Sequence, residues 1–208
     1  MIANETGARS FIAGLGGEEA IAKLEVLAEE LKAENARQNL VAKGSLEEVW
    51  VRHFADSAQL IPHVPRETRG AWFDLGSGAG FPGLVLAILR PEEATVLVES
   101  RKRRIEWLEA MARKLELANC EIEGKRLELV NTRKAAVISA RAFAPLPKLL
   151  SLSARFSTAR THWVLPKGRS AAQEVEELPR KQRKMFHVEH SVTDYEAGIV
   201  VGQGKVEA

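Results

Sequence analysis

The chain has 208 residues, of which 45% are hydrophobic and 28% are charged, and its formal net charge at pH 7 is +2. These values are typical of one well-packed globular domain and exclude a disordered or fibrous chain. The small net charge does not by itself indicate a nucleic-acid partner, so any RNA-binding charge has to be concentrated locally. Two basic runs, residues 101–104 and residues 180–184, are the candidate patches.

The composition also bears on compartment and chemistry. No apolar run is long enough to cross a membrane, and the amino terminus lacks a basic segment followed by an apolar one. The single cysteine, Cys120, excludes an internal disulfide framework and a cysteine-rich zinc site. We therefore expect a cytoplasmic protein that holds no metal.

The amino-terminal part is predicted to be helical. Residues 17–35 carry apolar side chains at helical spacing, with glutamates on the other face. Ser45, with Glu48 three residues later, is the pattern of a capping box and predicts the start of a second helix. Because prolines and a glycine mark a link after that helix, we expect a helical extension over residues 1–64 and a core over residues 65–208, packed as one compact unit.

The predicted second helix carries polar residues at helical spacing. Arg52 and Asp56 are four residues apart, as are His53 and Ser57, so these side chains could share one neighbourhood. An exposed ion pair between Arg52 and Asp56, beside an exposed histidine, fits the same spacing. The residues alone leave a functional cluster and a solvated surface both open.

A glycine-rich stretch, residues 74–83, follows an apolar segment. Residues 71–73 predict a buried strand, and Pro82 is suited to the first turn of a helix. Glycines at positions 76 and 78 permit a positive φ, and the free N–H groups at a helix start favour an anionic group. A nucleotide-like cofactor fits this turn, although a purely structural glycine turn would have the same pattern.

Three residues narrow the choice of cofactor. Phe81 stands where the dinucleotide fingerprint requires its third glycine, and Asp74 would repel a pyrophosphate, so both disfavour a nicotinamide cofactor. Asp74 could instead hold an amino group, which S-adenosylmethionine offers together with a carboxylate. Glu99 ends the next predicted strand, nineteen residues after Gly80, where nucleotide-binding α/β folds hold ribose hydroxyls. These residues favour S-adenosylmethionine.

The rest of the chain continues the alternation of strands and helices. The predicted helix covers residues 100–117, and the predicted strands cover residues 94–98, 119–123, 135–140 and 163–165, with two more near 186–188 and 199–201. Arg141 follows the fourth strand and Lys167 the fifth, so both are expected at the carboxyl edge of the sheet, where open α/β sheets bind ligands. Residues 204–208 are expected to form a plain tail.

Six motifs occur in order along nearly the whole chain. They are Asn39-Leu40, Arg52-His53-x-x-Asp56-Ser57, Asp74-Leu75-Gly76-Ser77-Gly78-Ala79-Gly80-Phe81-Pro82-Gly83, Glu99-Ser100-x-x-x-Arg104, Ser139-Ala140-Arg141-Ala142-Phe143-Ala144 and Lys167-Gly168. Together they resemble the bacterial 16S rRNA (guanine-N7) methyltransferase family, also called glucose-inhibited division protein B. The chain departs from the family pattern at residues 41–43, in the expected RNA-facing loop, and by the additional Ala140.

The resemblance implies a fold and a site. The implied fold is a Rossmann-like class I S-adenosylmethionine-dependent methyltransferase, with a mostly parallel seven-stranded sheet, helices on both faces and a helical amino-terminal extension. Cofactor contacts are implied for Gly76, Phe81, Glu99, Leu127, Glu128 and Arg141, to which the glycine turn itself adds Asp74 and Gly78. The active cleft is expected to contain Arg52, His53, Asp56 and Lys167.

The implied activity is transfer of a methyl group from S-adenosylmethionine to N7 of a guanine in 16S rRNA. The substrate would be free rRNA or the small ribosomal subunit, and the enzyme is expected to act as a monomer. Guanine N7 has a free lone pair, so its methylation needs positioning rather than a general base. A carboxylate such as Asp56 or Glu123 could stabilise the cation that forms on the purine.

Other methyl transfers would require other residues. A pyrimidine-carbon methyltransferase needs a nucleophilic cysteine, whereas Cys120 falls inside a predicted strand. An exocyclic-amine methyltransferase would show Asn/Asp-Pro-Pro-aromatic after the fourth strand, where this chain has residues 139–143 of a different type. A small-molecule methyltransferase and a non-catalytic RNA-binding module stay open as alternatives.

Overall fold

A computed structural model describes residues 1–207, and within that range seven strands form one sheet. The strands are β1 (Trp72–Leu75), β2 (Thr95–Val98), β3 (Cys120–Glu123), β4 (Val137–Ser139), β5 (His162–Gly168), β6 (Phe186–His190) and β7 (Gly198–Gln203). Their order across the sheet is β3-β2-β1-β4-β5-β7-β6. Strands β1 to β5 are parallel, and β7 runs antiparallel to both β5 and β6. The predicted mostly parallel seven-stranded sheet is confirmed.

Helices cover both faces of this sheet. They are α1 (Glu5–Gln38), α2 (Asp56–Ala58), α3 (Gly83–Leu89), α4 (Lys102–Lys114), α5 (Leu146–Ser153), α6 (Ala171–Glu176) and α7 (Arg180–Arg183). A π-helical segment, Trp50–Ala55, runs directly into α2, and short 3₁₀ turns cover Lys43–Leu46, Ile61–His63, Leu127–Leu129 and Ala154–Phe156. Across residues 1–207, no helix has both the length and the apolar character that a membrane crossing requires.

The central strand β1 is buried along its whole length, because β2 and β4 pair with it on either side. Successive side chains of a strand point to opposite faces, and the neighbouring strand β2 follows this rule. Leu97 packs into the cluster beneath α1, α3 and α4, whereas Val96 and Val98 pack into the cluster on the other face. Because β1, β2 and β4 are parallel, their carboxyl ends meet at one edge of the sheet, where the glycine turn begins.

The first helix begins well before the predicted start at residue 17. The side chain of Asn4 accepts a hydrogen bond from the N–H of Gly7 at 2.8 Å and caps the helix, and Ala8 and Ile12 are fully buried. The helix is kinked at Gly17, which is where the prediction placed its start. Several glycines in this region interrupt the apolar pattern, so the sequence did not reveal the first three turns.

The predicted capping box at Ser45 and Glu48 is wrong. Ser45 lies in a 3₁₀ turn, and the helical segment begins only at Trp50. The N–H groups of Trp50 and Val51 donate to the carboxylate of Glu5, at 3.2 Å and 2.9 Å. A carboxylate from 45 residues earlier in the chain thus satisfies the start of this segment, which leaves the Ser45 hydroxyl free for another partner.

The amino-terminal helices do not stand apart from the sheet. Leu27 of α1 and Phe54 of the π-helical segment belong to the same buried cluster as Leu84 of α3 and Leu108 of α4. Burial of this shared surface stabilises both parts together. The division into an extension over residues 1–64 and a core over residues 65–208 stays a prediction.

The carboxyl-terminal segment is docked, so the prediction of a plain tail is wrong for residues 204–207. The carbonyl of Gly204 accepts a hydrogen bond from Trp163 Nε1 at 2.9 Å, and the N–H of Val206 donates to Ser157 Oγ at 3.0 Å. Val206 is 1% exposed and packs in the cluster with Trp163. Ala208, the last residue of the predicted tail, lies outside the described residues.

The docked Val206 predicts a measurable cost of truncation. We expect Val206→Ala to lower the free energy of unfolding by about 1 to 3 kcal/mol, because it removes buried methyl groups and leaves a cavity. The same substitution at Val26, a residue of α1 that is 39% exposed, should change stability by less than about 0.5 kcal/mol. Urea unfolding of both variants measures the difference, and equal midpoints would contradict the docking.

Candidate active site

A cleft of about 1040 Å³ opens at the carboxyl edge of the sheet. One wall comes from the amino-terminal region and includes Arg52, His53 and Asp56. The opposite walls come from the segment after β4, which begins at Arg141, and from the turn between β6 and β7. The structure therefore brings the predicted residues of two distant sequence regions to one place.

The glycine turn adjoins this cleft at the end of β1. Gly76 and Gly78 have φ values of +72° and +58°, which disfavour any residue with a Cβ. At Gly76 a Cβ would also lie 2.5 Å from the ring of Phe143, so the side of the turn that faces this ring has room for hydrogen alone. Such a turn lets a ligand approach the main chain closely, as the sequence predicted for a nucleotide-like cofactor.

Glu99 fixes this turn from the end of β2. Its carboxylate accepts hydrogen bonds from the N–H groups of Gly78 at 3.0 Å, Ser100 at 2.7 Å and Arg101 at 2.8 Å. A carboxylate has about four acceptor positions, so capacity remains for a hydroxyl group. The arrangement suits the predicted ribose contact, because Glu99 lies beside the glycine turn in the structure, as its spacing in the sequence predicted.

Asp74 is enclosed within the protein and does not line the cleft, and its expected contact with a cofactor amino group stays a prediction. Its side chain is fully buried, and it accepts hydrogen bonds from the N–H of Gly83 at 3.1 Å and from Ser139 Oγ at 3.0 Å. Burial raises the pKa of Asp74 to about 6, although the hydrogen bonds from Ser77, Ser139 and Gly83 and the charge of Arg141 act against it. The carboxyl group therefore ties β1 to the start of α3 and to β4.

Phe81 packs beneath two residues of the cleft wall, His53 and Arg141. The ring of His53 stacks on it, with centroids 4.9 Å apart and planes at 10°, and the guanidinium of Arg141 lies 5.4 Å from its centroid. Phe81 is 3% exposed. Phe81, which was predicted to contact the cofactor, thus also supports two residues of the cleft wall.

His53 is a neutral residue with both ring nitrogens engaged, rather than the exposed histidine of the alternative interpretation. Arg141 Nη2 lies 3.4 Å from His53 Nδ1, and His53 Nε2 lies 2.8 Å from Ser45 Oγ. Because arginine can only donate, Nδ1 is the acceptor and Nε2 carries the proton, which it donates to Ser45. Burial, with the charges of Arg141 and Arg52, lowers the pKa of His53 to about 3.

Asp56 holds the other terminal nitrogen of Arg141. Its Oδ2 lies 3.3 Å from Arg141 Nη1, and both side chains are about one fifth to one quarter exposed. Its Oδ1 accepts hydrogen bonds from Gln59 Nε2 at 2.8 Å and Thr193 Oγ1 at 2.9 Å. Asp56 thereby links the amino-terminal region, the segment after β4 and the turn before β7.

Arg52 does not pair with Asp56, so the surface ion pair of the alternative interpretation is wrong. The guanidinium instead lies 3.9 Å from the carboxylate of Asp194, and the Arg52 side chain is half exposed. Ser57, the fourth residue of the predicted cluster, is buried and donates to the carbonyl of His53 at 2.6 Å. Arg52, His53 and Asp56 thus line the cleft, and Ser57 does not.

Lys167 lies near the carboxyl end of β5, which extends to Gly168, and its nearly buried side chain lines the cleft as expected. Its Nζ donates to the carbonyl of Ala144 at 2.6 Å and lies 3.0 Å from Glu174. Glu174 also accepts a hydrogen bond from the N–H of Leu146 at 2.6 Å. Together Lys167 and Glu174 hold the segment that follows Arg141, and a catalytic role of Lys167 stays a prediction.

The last predicted cofactor residues lie at the other end of the site. Leu127 and Glu128 are in the 3₁₀ turn after β3, where Leu127 is buried and Glu128 is exposed. β3 is the edge strand beyond β2, on the side of Glu99. The position of both residues agrees with the expected adenine end of a nucleotide, and their contacts with a cofactor stay a prediction.

Cys120 is unsuited to nucleophilic catalysis. It begins β3, and burial, followed by the charge of Asp74, raises the pKa of its thiol to about 12. A thiol with so high a pKa supplies almost no thiolate near pH 7. Among residues 1–207, no group of three or more His, Cys, Asp or Glu side chains is arranged to hold a metal ion.

Sequence reasoning missed several residues that hold the site. Ser45 was assigned to a helix cap, and Gln59, Glu174 and Thr193 were not singled out. Each acts through a hydrogen bond to a residue that is far away in the sequence or in another element, as for Gln59 and Ser191, which are 132 positions apart. For Ser45, its place just before the Arg52-His53 motif was an available signal.

The fold is that of a class I methyltransferase. It is similar to the human methyltransferase 10 domain containing protein (TM-score 0.60, 12% identity, 85% of this chain and 96% of that chain). It is also similar to an RNA methyltransferase from Salinibacter ruber solved with S-adenosyl-L-homocysteine (TM-score 0.52, 12% identity, 73% of this chain and 92% of that chain). The predicted fold class is confirmed.

The sequence comparison defines the family. Residues 20–199 match the family model of rRNA small subunit methyltransferase G. Ribosomal RNA small subunit methyltransferase G of Erythrobacter litoralis is 60% identical over 207 residues, covering 100% of each chain. The chain belongs to the rRNA small subunit methyltransferase G family, and the predictions of a methyltransferase and of S-adenosylmethionine as its cofactor are confirmed.

The buried Asp74 predicts that stability falls as the pH rises. Its pKa in the folded chain, about 6, is above the ordinary value of 3.8, so the folded state binds the additional proton between these values. The stability from that proton is fully present below pH 4 and is lost as the pH rises through 6, by about 3 kcal/mol for two pKa units. Asp74→Asn removes the titration.

Urea unfolding of the wild type and Asp74→Asn between pH 4 and pH 7 measures this effect. Relative to the variant, the wild type should lose about 3 kcal/mol over this range. Glu19→Gln, at an exposed carboxylate of α1, is the control and should follow the wild type. Parallel pH profiles for wild type and Asp74→Asn would contradict the assignment.

The hydroxyl of Ser45 predicts a role in positioning His53. We expect Ser45→Ala to lower kcat/KM for methyl transfer about 10-fold, because the buried His53 Nε2–H loses its acceptor and the stack beside Arg141 loosens. Ser45→Thr keeps the hydroxyl and should retain most of the activity. Steady-state kinetics on both variants is the measurement, and equal rates for Ser45→Ala and wild type would exclude this role.

Proposed function

We propose that the chain transfers a methyl group from S-adenosylmethionine to N7 of a guanine in the RNA of the small ribosomal subunit, in the cytoplasm and as a monomer. The observation that carries the choice of atom is the state of His53. It is neutral, and both of its nitrogens are hydrogen-bonded within the protein. A cleft built around such a histidine positions a substrate without abstracting a proton, and N7 of guanine carries no proton to abstract.

The reaction is a direct displacement. S-adenosylmethionine, when bound, supplies the electrophilic methyl group. Guanine N7 would take this methyl group with its lone pair while the sulfur keeps the electrons of the bond that breaks, so the positive charge would pass to the purine. Correct alignment and exclusion of water are the main requirements of such a transfer.

The residues of this chain that would hold the cofactor are those around the glycine turn. Gly76 and Gly78 would admit its close approach, Glu99 would offer its remaining acceptor capacity to the ribose, and Phe81 supports His53 and Arg141 beside the turn. Leu127 and Glu128 would lie beside the adenine. The arrangement fits a nucleoside-like group, since the Glu99 carboxylate beside the glycine turn has acceptor capacity left for a hydroxyl group.

Arg141 and Asp56 are proposed to act on the guanine side. Arg141 lies over Phe81 and is held by Asp56, so it connects the glycine-rich stretch with the wall of the cleft. The Asp56 carboxylate is close enough to the cleft to stabilise the cation that develops on the purine. Glu123, the other carboxylate considered for this role, is on the edge strand β3 and lies 2.9 Å from Lys125.

Mapping of the modified base tests the proposed function. The protein is incubated with methyl-labelled S-adenosylmethionine and either free 16S rRNA or small subunits that lack the modification. We expect label in the RNA at a guanine that becomes sensitive to borohydride and aniline cleavage, as N7-methylation causes. Label at another atom would contradict the choice of N7, and salt-insensitive turnover of small molecules without RNA would contradict an RNA substrate.

The proposed role of Asp56 predicts a slower chemical step. We expect Asp56→Asn to lower the single-turnover rate about 10- to 100-fold, because the carboxylate charge near the developing purine cation is lost. Glu123→Gln is the matched control, since it neutralises a carboxylate two strands away from β1, and its rate should stay within about 3-fold of the wild type. Equal rates for Asp56→Asn and Glu123→Gln would sink this role.

A further inference from the structure

The turn between β6 and β7, residues 191–197, carries two carboxylates that pair with arginines from two other elements at the cleft. Asp194 lies 3.9 Å from Arg52 of the π-helical segment, and Glu196 pairs with Arg169, which follows β5. Asp194 and Arg52 line the cleft, and Arg169 and Glu196 are each next to a lining residue. One short turn thus pairs with two arginines that are far apart in the sequence.

The two arginines are the kind of group that binds RNA phosphates. Their side chains are 50% and 76% exposed, in contrast to Arg141 and Lys167, which are held inside the site. A guanidinium matches the geometry of a phosphate as well as that of a carboxylate. The carboxylates of Asp194 and Glu196 therefore occupy positions where phosphate oxygens could bind.

The main chain of the turn is fixed independently of these ion pairs. The N–H of Val192 donates to Gln59 at 2.7 Å, its carbonyl accepts from Ile2 at 2.7 Å, and the N–H of Ala197 donates to the carbonyl of Asp194 at 3.0 Å. Asp194 pairs with Arg52 through Oδ2, while its Oδ1 accepts the N–H of Glu196. Exposed ion pairs contribute little to stability, so phosphates can replace the carboxylates at the two arginines without a change in the main chain of the turn.

We propose that residues 191–197 form an acidic latch, in which Asp194 and Glu196 act as phosphate mimics and hold Arg52 and Arg169 until phosphates of the substrate RNA replace them. This inference rests on the proposed RNA substrate. The latch lowers the affinity of the cleft for polyanions in general, because an RNA has to place phosphates at both arginines to recover the lost pairs. It thereby favours an RNA whose shape presents the two phosphates together.

Removal of the latch carboxylates should strengthen RNA binding. We expect Asp194→Asn with Glu196→Gln to bind small subunits that lack the modification about 3- to 10-fold more tightly than the wild type at the same salt concentration. Asn at position 194 can still accept the hydrogen bond that Glu196 N–H donates to Oδ1 at 3.0 Å, so the turn should keep its conformation. The single variant Glu196→Gln should show part of the same gain.

Two controls separate the latch from a general effect of charge. Glu18→Gln with Glu19→Gln removes the same charge from exposed positions of α1 and should change the Kd by less than the latch variant. In an Arg169→Gln background, Glu196→Gln should give no gain, because the arginine that it releases is absent. A gain that persists in this background, or an equal gain from the α1 control, overturns the latch.

The same experiment distinguishes failure of the latch from failure of the proposed function. Wild-type protein that methylates the subunits, while the latch variants bind no more tightly than it does, leaves the function intact and overturns the latch. Absence of RNA methylation by the wild type would overturn the function itself. Thermal unfolding of each variant, matched to the wild type, ensures that the Kd values refer to folded protein.

Discussion

The buried carboxyl group of Asp74 is the constraint on which the site depends. It sits at the end of the central strand and joins three elements, because it accepts hydrogen bonds from the first residue of α3 and from Ser139 at the end of β4. Ser139 in turn accepts from Trp72 Nε1 at 2.9 Å. This arrangement sets the distance between the glycine turn and the segment that carries Arg141. A buried polar group retains such hydrogen bonds because leaving it unpaired away from water costs free energy.

The remaining polar residues of the site position neighbouring groups and do not transfer protons. His53 is stacked and neutral, Lys167 holds a carbonyl, and Asp56 holds an arginine. Each of these groups has partners within the protein that restrict its orientation. Such a site suits a reaction whose barrier depends on alignment, since the nucleophile needs no activation by a base. The exposed ion pairs Arg52–Asp194 and Arg169–Glu196 are different, because exposed pairs exchange partners at little cost in free energy.

The amino-terminal helical region is part of the site rather than an appendage. It supplies Arg52, His53 and Asp56, whereas Arg141 comes from the segment after β4. The two regions meet because α1 and the π-helical segment bury apolar side chains against α3 and α4. The cleft therefore exists only when that shared cluster is packed. For this reason, the local sequence of one region does not show which residues of the other region face it.

The sequence by itself determined the strand pattern, the glycine turn, the acidic residue after β2 and, through its motifs, the family. These features are local, because glycine spacing and apolar runs report on backbone conformation and burial directly. Only the tertiary structure decided that Asp74 is enclosed, that Lys167 supports a loop, that Ser45 bonds to His53 instead of capping a helix, and that Val206 is docked. Those outcomes depend on which distant groups meet, and neither spacing nor residue type specifies the partner that satisfies a buried polar atom.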